Sequence, residues 1–364
     1  MKIGILTFHN AYNYGAVLQT YATQELVKSL GHEVEVIDYH NKAIDRFYEN
    51  LRFHIRTIPK RKFYRIPVYF LEKCFYWKRR KAYQNFIHQY LCLSEKRYNQ
   101  GGKDVINGYD IILIGSDQLW NKEITNGFDK IYWGDFKTNA YTRKVAWSVC
   151  MNQTNISEDE KEYIIEHLNN FEAISVRESS LQSMLSKLTT KEIAHTLDPT
   201  LVLPSQNWEH LCHGVKEKNY IAVYAVRKEE DTIRFARKVA EILQKPLVVI
   251  RSYAKWYMNS ENKECGGPSE FLSYIKHADF VVSTSFHGTV FSLIFKKQFA
   301  CPALEDNVRI ESLLNSVGLK ERLISFPEKA ESLPSIDYEK VEQAMNALRI
   351  SSLEFLKNGL SMKK

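Results

Sequence analysis

One short segment of the chain combines hydroxyl side chains, a histidine and a glycine. Residues 281–289 read VVSTSFHGT, an apolar run that ends in Ser283. A strand that turns into a helix there would aim backbone N–H groups at an anion, and a histidine in the turn can transfer a proton near neutral pH. We therefore predict a site for an anionic ligand, although a lone histidine often has only a structural role. The predicted members of this site are Thr284, Ser285, His287, Gly288 and Thr289.

Two arginines directly follow apolar runs that are predicted to be strands. Arg177 comes after residues 173–176, and Arg227 comes after residues 220–226. A guanidinium group can bind a phosphate or a carboxylate through two parallel hydrogen bonds. Because side chains at the carboxyl ends of parallel strands point toward the ligand crevice, both arginines are predicted to hold an anion. A surface ion pair is the alternative for each, and Arg309 is a weaker candidate.

Two polar turns in the first half of the chain are candidate sites for a hydroxyl-rich ligand. The first, FHNAYNYGA at residues 8–16, opens a helix, and the second, GSDQLWN at residues 115–121, follows an apolar strand. Neither has the glycine spacing of a dinucleotide-binding or phosphate-binding loop. Asp117 could accept a hydrogen bond from a sugar hydroxyl or act as a base, with helix capping as the alternative. The predicted ligand-binding residues are Asn13, Tyr14, Gly15, Asp117 and Gln118.

Apolar runs and amphipathic helices alternate in two separate blocks of the chain. The first block opens with a strand, a turn, a helix and a second strand within 38 residues, which is a βαβ unit. A second alternation begins at residue 220, and wholly apolar runs such as residues 111–114 are typical of parallel sheets covered on both faces. We predict an α/β protein with two Rossmann-like, doubly wound domains that face each other across a ligand-binding cleft.

The limits of the predicted domains follow from these two blocks. The first domain covers residues 1–204 and contains a basic insertion at about residues 45–100. The second domain covers residues 205–330. A long helix within residues 331–364 is expected to pack back on the first domain.

The composition is that of a globular protein and argues against several protein classes. Hydrophobic residues make up 44% and charged residues 26% of the 364 positions. The six cysteines are scattered without a Cys-x-x-Cys pair, so we predict reduced thiols, no metal site and a cytoplasmic location. No signal peptide or membrane-spanning run is expected. Nucleic acid is not an expected partner, because no recognition motif accompanies the net charge of +7.

The positive charge is concentrated in one segment. From Arg52 to Lys81 there are eleven lysines and arginines and one acid, Glu72, so this segment carries +10 and the rest of the chain −3. Aromatic residues lie between the basic ones. Such a segment could bring the protein to an anionic membrane surface, at its cytoplasmic side. The alternative is a solvated insertion whose aromatic residues pack on the domain.

Taken together, these segments resemble the polysaccharide pyruvyl transferase family. The segments that carry the resemblance are NYGAVLQ (13–19), GSDQLWN (115–121), SVRE (175–178), DPT (198–200), GPSEFL (267–272), AD (278–279) and TSFHGTVFS (284–292). The likeness extends from about Ile3 to Arg322. It implies a GT-B-like pair of Rossmann domains, phosphoenolpyruvate as the donor, no cofactor, and a saccharide acceptor on which pyruvate is installed as a ketal.

The resemblance also implies roles for individual residues. The family histidine corresponds to His287, which is the implied general acid. Because the full charges of a bound phosphate and carboxylate outweigh a helix dipole, we predict that His287 is protonated only when the donor is bound. Some members carry an arginine two residues before this histidine, whereas this chain has Ser285. We therefore predict Arg227 as the clamp on the donor. The residues expected to face the acceptor are Asn13, Gly15 and Asp117. If the enzyme docks at a membrane, the acceptor could be a lipid-linked saccharide.

Two other functions fit the same architecture. A glycosyltransferase that uses a nucleotide sugar would share the fold, so topology does not discriminate between the two enzymes. A saccharide-binding or anion-binding protein without catalytic activity is the other alternative, because the arginine expected before His287 is missing.

Overall fold

The computed structural model describes residues 1–50, 66–101, 105–153, 156–226, 228–251, 262–264, 266–304 and 307–361. The chain divides into two compact units, each described by itself. The first unit comprises Met1–Phe53, Ile87–Leu203 and Ala347–Lys364, and the second comprises His54–Phe86 and Pro204–Asn346. The sequence analysis placed the basic insertion in the first domain, whereas its described residues 66–86 group with the second unit. The physical reason is a close contact, since a Cβ on Gly267 would lie 3.1 Å from the Cβ of Ala82.

The first unit is built on one parallel sheet. In its described part, the strands are β1 (Lys2–Leu6), β2 (Glu33–His40), β3 (Leu93–Asn99), β4 (Ile111–Ile114), β5 (Arg143–Val149), β6 (Ala173–Val176) and β7 (Ile193–His195). The helices of the chain up to residue 202 are α1 (Tyr14–Ser29), α2 (Lys42–Asn50), α3 (Ile66–Tyr90), α4 (Lys122–Thr125), α5 (Glu158–Leu168), α6 (Ser179–Leu185) and α7 (Pro199–Val202). Most of α3 belongs to the second unit, and the others belong to the first. The strand order is β3-β2-β1-β4-β5-β6-β7, with every pair parallel.

The second unit contains another parallel sheet. Its described strands are β8 (Ile221–Tyr224), β9 (Leu247–Arg251), β10 (Asn262–Glu264), β11 (Phe280–Ser283), β12 (Gln298–Pro302) and β13 (Leu323–Ile324). The remaining helices of the chain are α8 (Gln206–Glu209), α9 (Glu229–Ile242), α10 (Pro268–His277), α11 (Phe286–Ile294), α12 (Val308–Ser316) and α13 (Tyr338–Ser361), with short 3₁₀ turns at Lys320–Arg322 and Pro327–Ala330. The strand order is β10-β9-β8-β11-β12-β13, again all parallel. The predicted α/β class with two Rossmann-like sheets is confirmed.

Local sequence signals explain several element limits. The wholly apolar strand β4 is buried at all four residues, as expected for a parallel strand covered on both faces. Gly31, with φ at +81°, directly follows the end of α1, where a left-handed residue favours glycine. Ser157 and Glu160 form a capping box at the start of α5.

Each sheet lies within its own hydrophobic core. In the first unit, Trp120 and Trp133 are fully buried and stack with ring centroids 4.3 Å apart. In the second unit, Ile221, Val223 and Val282 form part of a separate buried cluster. No helix in the described ranges combines the length and the hydropathy needed to cross a bilayer.

Candidate functional site

In both sheets, the strand order reverses beside the motifs that the sequence analysis singled out. In the first unit, β1 lies between β2 and β4, so the strand order reverses between β1 and β4. In the second unit, β8 lies between β9 and β11, so the reversal falls between β8 and β11. Ligands of open α/β sheets bind at such switch points, beyond the carboxyl ends of the strands. The predicted turns leave β1, β4 and β11, and therefore stand at these points.

The turn after β11 is held by hydroxyl groups. The Ser283 Oγ donates to the carbonyl oxygen of Tyr224 (2.9 Å) and accepts from the backbone N–H of Ser285 (3.0 Å). Ser285 is the N-cap of α11, since its Oγ accepts from the backbone N–H of Gly288 (3.3 Å). These bonds tie the turn between β11 and α11 to the end of β8, so that α11 begins directly beyond the carboxyl ends of these two strands.

Gly288 permits a close approach of α11 to β11. A Cβ at this position would lie 2.1 Å from the Ser283 Oγ and 3.2 Å from the ring of Tyr224. Real Cβ atoms do not approach neighbours so closely, so any larger residue would push the helix off the strand. The close packing explains why a glycine stands here, and its place in a ligand site stays a prediction.

His287 is the second residue of α11. The residue is 8% exposed, and its ring lies edge-on to the ring of Phe286, with centroids 5.3 Å apart. Thr289 is fully buried. Its Oγ1 donates to the Ser285 carbonyl (3.2 Å) and lies 3.3 Å from the Cys301 Sγ, so the buried hydroxyl has partners. The hydroxyls of Ser285 and Thr289 thus bond within the turn. The groups with the geometry of an anion site are the first N–H groups of α11.

A cation lies beside the start of α11. The guanidinium carbon of Arg309, at the start of α12, is 5.7 Å from the centroid of the Phe286 ring, within cation–π range. The sequence analysis treated Arg309 as a weak candidate, because no local pattern indicates that α12 returns to α11. Arg227, the first choice for the clamp, lies outside the described residues.

A further arginine in the second unit was missed from the sequence. Arg251 is the last residue of β9, is 6% exposed, and its Nη1 lies 2.6 Å from Oε1 of Glu229. The signal that could have identified it is an arginine at the end of the apolar run 247–251, one strand away from the switch point. Its ion pair places a buried positive charge at the carboxyl edge of the second sheet.

The switch point of the first unit is braced by buried polar side chains. Gln19 donates from Nε2 to the Thr7 Oγ1 (2.8 Å) and accepts at Oε1 from the backbone N–H of Ser116 (3.2 Å). The Thr7 hydroxyl donates to the carbonyl oxygen of Ser116 (3.0 Å). The ends of β1 and β4 and the start of α1 are therefore tied into one network.

Arg177 lies inside the first unit. Its side chain is 3% exposed, its Nη2 is 2.8 Å from Oδ2 of Asp198, and Nη2 also donates to the Ser116 Oγ. Burial alone would lower the pKa of Arg177, but Asp198 and the nearby acids raise it above its ordinary value. The sequence analysis predicted that Arg177 binds the donor at the open carboxyl end of a strand. The structure instead places it in a buried ion pair beneath the turn that carries Asp117.

The acceptor-side residues differ in exposure. Asp117 and Gln118 are half-buried, and the Asp117 Oδ1 accepts from the backbone N–H of Gln118 (2.8 Å). Asn13 is exposed and caps α1, accepting from the backbone N–H of Ala16 (3.3 Å). Tyr14 and Gly15 are both buried in the first turn of α1, so neither residue is exposed at the surface of the switch point.

A group of titratable residues near β1 and β2 was also missed. His9 and His40 each place Nε2 2.9 Å from Oδ1 of Asp38. Burial would raise the pKa of Asp38, but hydrogen bonds from the two histidines hold it well below its ordinary value. Burial would lower the pKa of His40, but Asp38 and Asp45 raise it to about 9. The signal in the sequence is Asp-x-His at the end of β2, because residues two apart share one face of a strand.

Several solved structures are similar to this chain in fold, at low sequence identity. The UDP-GlcNAc 2-epimerase from Methanocaldococcus jannaschii, in complex with UDP-GlcNAc and UDP, is similar at a TM-score of 0.48 and 14% identity, covering 96% of this chain and 100% of that chain. The UDP-GlcNAc 2-epimerase from Neisseria meningitidis has a TM-score of 0.48, 10% identity and coverage of 97% and 100%. The glycosyltransferase SsfS6 from Streptomyces sp. SF2575 has a TM-score of 0.39, 13% identity and coverage of 97% and 96%. No curated protein matches the sequence.

The family assignment comes from a family model. The model described as "Polysaccharide pyruvyl transferase" matches residues 13–302. This range contains the cap of α1, the Asp117 turn, the Arg177–Asp198 pair and the His287 turn. Because the match covers most of the chain, this protein belongs to the polysaccharide pyruvyl transferase family, a family of transferases.

Proposed function

We propose that this protein transfers pyruvate from phosphoenolpyruvate to a saccharide, where it becomes a ketal across two hydroxyls. The observation that carries the proposal is the position of His287, in the first turn of α11 at the switch point of the second sheet. Membership of the family supports a transferase, and a proton donor beside an anion-binding helix start suits an anionic enol donor.

The donor-binding side would consist of the first N–H groups of α11 and the guanidinium of Arg309. Phosphoenolpyruvate carries a phosphate and a carboxylate, and both attract backbone N–H donors and arginine. Arg309 takes the place that the sequence analysis gave to Arg227, whose position lies outside the described residues. Ser285 and Thr289 contribute by holding the turn, since their hydroxyls bond within it.

His287 is the proposed general acid. It gives a proton to the methylene carbon of the enol, and the adjacent carbon becomes an oxocarbenium-like centre that a first sugar hydroxyl attacks, losing its own proton. A second hydroxyl then displaces the phosphate, and its proton leaves with the phosphate, so that the products are the ketal and inorganic phosphate. A helix N-terminus disfavours the charged imidazole, whereas a bound phosphate and carboxylate favour it.

The first unit is proposed to bind the acceptor. Asp117 would accept the proton of an attacking hydroxyl, and the exposed Asn13 would hydrogen-bond the sugar. Arg177 then acts as a positioning residue, because its bond to the Ser116 Oγ holds the residue that precedes Asp117. This assignment replaces the direct donor contact predicted from the sequence.

The proposal is tested by ligand binding and by the His287→Ala variant. Phosphoenolpyruvate at a hundred times its Kd adds about 2.7 kcal/mol to the stability of the folded state, which a thermal-shift experiment detects. UDP-GlcNAc serves as the nucleotide-sugar comparison. Loss of a general acid is expected to slow transfer about a hundredfold or more. His277→Ala, which removes a half-buried histidine from the end of α10, is the control.

The outcomes separate three functions. Stabilisation by phosphoenolpyruvate together with a slow His287→Ala variant supports pyruvyl transfer. Stabilisation by UDP-GlcNAc alone would indicate a nucleotide-sugar glycosyltransferase. Binding of either ligand without turnover of any saccharide would indicate a binding protein. Transfer by His287→Ala at the wild-type rate contradicts the assigned role.

We also propose that the basic segment from Arg52 to Lys81 brings the enzyme to an anionic membrane that carries a lipid-linked acceptor. Residues 51–65 lie outside the described ranges. In the described part of α3, Trp77 is 54% exposed and the guanidinium of Arg80 lies 5.6 Å from its ring centroid. Binding to liposomes should increase with anionic lipid and fall with salt. Binding that is insensitive to both would contradict this proposal.

A further inference from the structure

Two histidines and an aspartate form a compact group at the carboxyl ends of β1 and β2. Nε2 of His9 and Nε2 of His40 both lie 2.9 Å from the same atom, Oδ1 of Asp38. The three ligand atoms are within 4.8 Å of one another, and 2% and 6% of the two histidine side chains are exposed. We propose that His9, Asp38 and His40 form a binding site for one divalent metal ion of the zinc class.

The far side of each imidazole is held by an acceptor. Nδ1 of His9 lies 3.3 Å from the carbonyl oxygen of Thr7, and Nδ1 of His40 lies 3.0 Å from Oδ2 of Asp45. Metal-binding histidines typically donate their second ring N–H to a backbone carbonyl or a carboxylate, which fixes the ring and leaves the other nitrogen for the metal. Both rings therefore direct Nε2 to one point beside Asp38.

The charges around the group can accommodate a divalent ion. Nη2 of Arg97 (2.8 Å) and Nδ2 of Asn10 (3.2 Å) also face Nδ1 of His40. The carboxylates of Asp38 and Asp45 exceed the single charge of Arg97 by one. With both imidazoles neutral, the group therefore has one net negative charge, which attracts a cation. A divalent ion changes the net charge of the group from −1 to +1, so its second charge is the only one that the group does not compensate.

The ligand set indicates the class of metal. Imidazole nitrogens and a carboxylate oxygen suit zinc and its neighbours better than calcium or magnesium, which prefer oxygen ligands. Three protein ligands leave one position of a tetrahedral ion for water. Asp38 has 21% of its side chain exposed and is the most exposed ligand, so the fourth position would lie on its side. The ion would fasten the turn before α1 to β2.

The site is tested first on the unaltered protein. The full chain, with any affinity tag removed, is stripped with a chelator, incubated with Zn²⁺ and passed through a desalting column before elemental analysis. One retained equivalent is expected. Co²⁺ in place of Zn²⁺ is expected to give the visible absorption of an ion with nitrogen and oxygen ligands. A protein that retains no metal and gives no such absorption overturns the proposal. Neither readout depends on the transfer activity.

Variants then locate the ion. Asp38→Asn and His40→Gln should each weaken Zn²⁺ binding at least a hundredfold, and Asp45→Asn should weaken it about 10- to 100-fold. His167→Gln is the matched control, because His167 is also buried, its Nδ1 faces a backbone carbonyl at 2.8 Å, and its Nε2 is 3.8 Å from the carboxylate of Asp135.

The pattern of losses decides the outcome. Weaker binding in the three variants with an unchanged control supports the site. Equal binding in all four proteins overturns it, because the ion must then lie elsewhere, for instance on a cysteine. If a ligand variant does not fold, the milder Asp45→Asn variant and the Co²⁺ spectrum of the wild type still discriminate between these results.

Discussion

The carboxyl ends of the two sheets are organised by different forces. At the β1–β4 edge, charged and amide side chains hold the turns, as in the pair of Arg177 with Asp198. At the β8–β11 edge, hydroxyls, a glycine and the N-terminus of α11 hold the turn, and the closest contact is the approach of Gly288 to Ser283. The buried pair of Arg251 with Glu229 lies one strand away, at the end of β9. Removing a charge is therefore expected to lower the unfolding free energy most at the first edge. Adding side-chain volume is expected to lower it at the second edge.

The largest effect is expected from Asp198→Asn. It leaves the guanidinium of Arg177 buried without its carboxylate, which typically costs about 3–5 kcal/mol of unfolding free energy. Chemical denaturation measures the loss. The control is Asp231→Asn, since Asp231 pairs with Arg234 on the surface, where such pairs contribute at most about 1 kcal/mol. Equal effects of the two variants would remove the distinction between the edges.

Gly288→Ala tests the second edge by adding one methyl group. Overpacking of this kind typically costs about 1–3 kcal/mol. Ser283→Ala in the same chain should recover part of the loss, because it removes the Oγ that lies 2.1 Å from the added Cβ. Gly214→Ala is the matched control, since nothing lies within 4 Å of a Cβ at that position. No recovery in the double variant would contradict the assigned contact.

Arg309→Gln tests whether the second edge also binds the donor through a side chain. Loss of a hydrogen bond to a charged group costs about 1.5–3 kcal/mol, so the KM for phosphoenolpyruvate should rise roughly tenfold or more. Arg234→Gln removes an exposed arginine from the same unit and should leave KM unchanged. A normal KM in Arg309→Gln would leave donor binding to the helix N-terminus and residues outside the described ranges.

The smallest effect is expected from the two helix caps. Asn13→Ala and Ser285→Ala should each lower the unfolding free energy by about 1 kcal/mol, because each removes a side-chain acceptor at a helix N-terminus. Steady-state kinetics sharpens the comparison. If Asn13 also binds the saccharide, its variant raises the KM for the acceptor, whereas an unchanged KM identifies it as a cap alone.

Much of the fold was accessible from local sequence patterns. Apolar runs, the glycine at position 31 and the Ser157 capping box act over a few residues, and the structure has strands or helix ends at these positions. The turns that contain Asp117 and His287 were found because a strand that ends in polar residues is visible in one segment. The grouping of residues 66–86 with the second unit could not be predicted from local patterns, because it depends on a contact between α3 and the start of α10.

The candidate site divides in the same way. Sequence pattern located His287 and Gly288 but gave Arg177 the wrong surroundings, because its partner Asp198 lies 21 residues further on, in a different turn. The position of Arg309 beside Phe286 was not visible in the sequence, because only the packing of α12 brings the two together. The His9–Asp38–His40 group escaped notice because its members are brought together by the pairing of β1 with β2.

By itself, the sequence determined two α/β blocks, the polar turns that end their strands and the family to which the chain belongs. Hydrophobic periodicity and turn chemistry are local, so one sequence is enough to reveal them. Only the tertiary structure decided which charges became buried pairs and which histidines share a carboxylate. Those outcomes depend on strand order and register, which bring together residues that are distant along the chain.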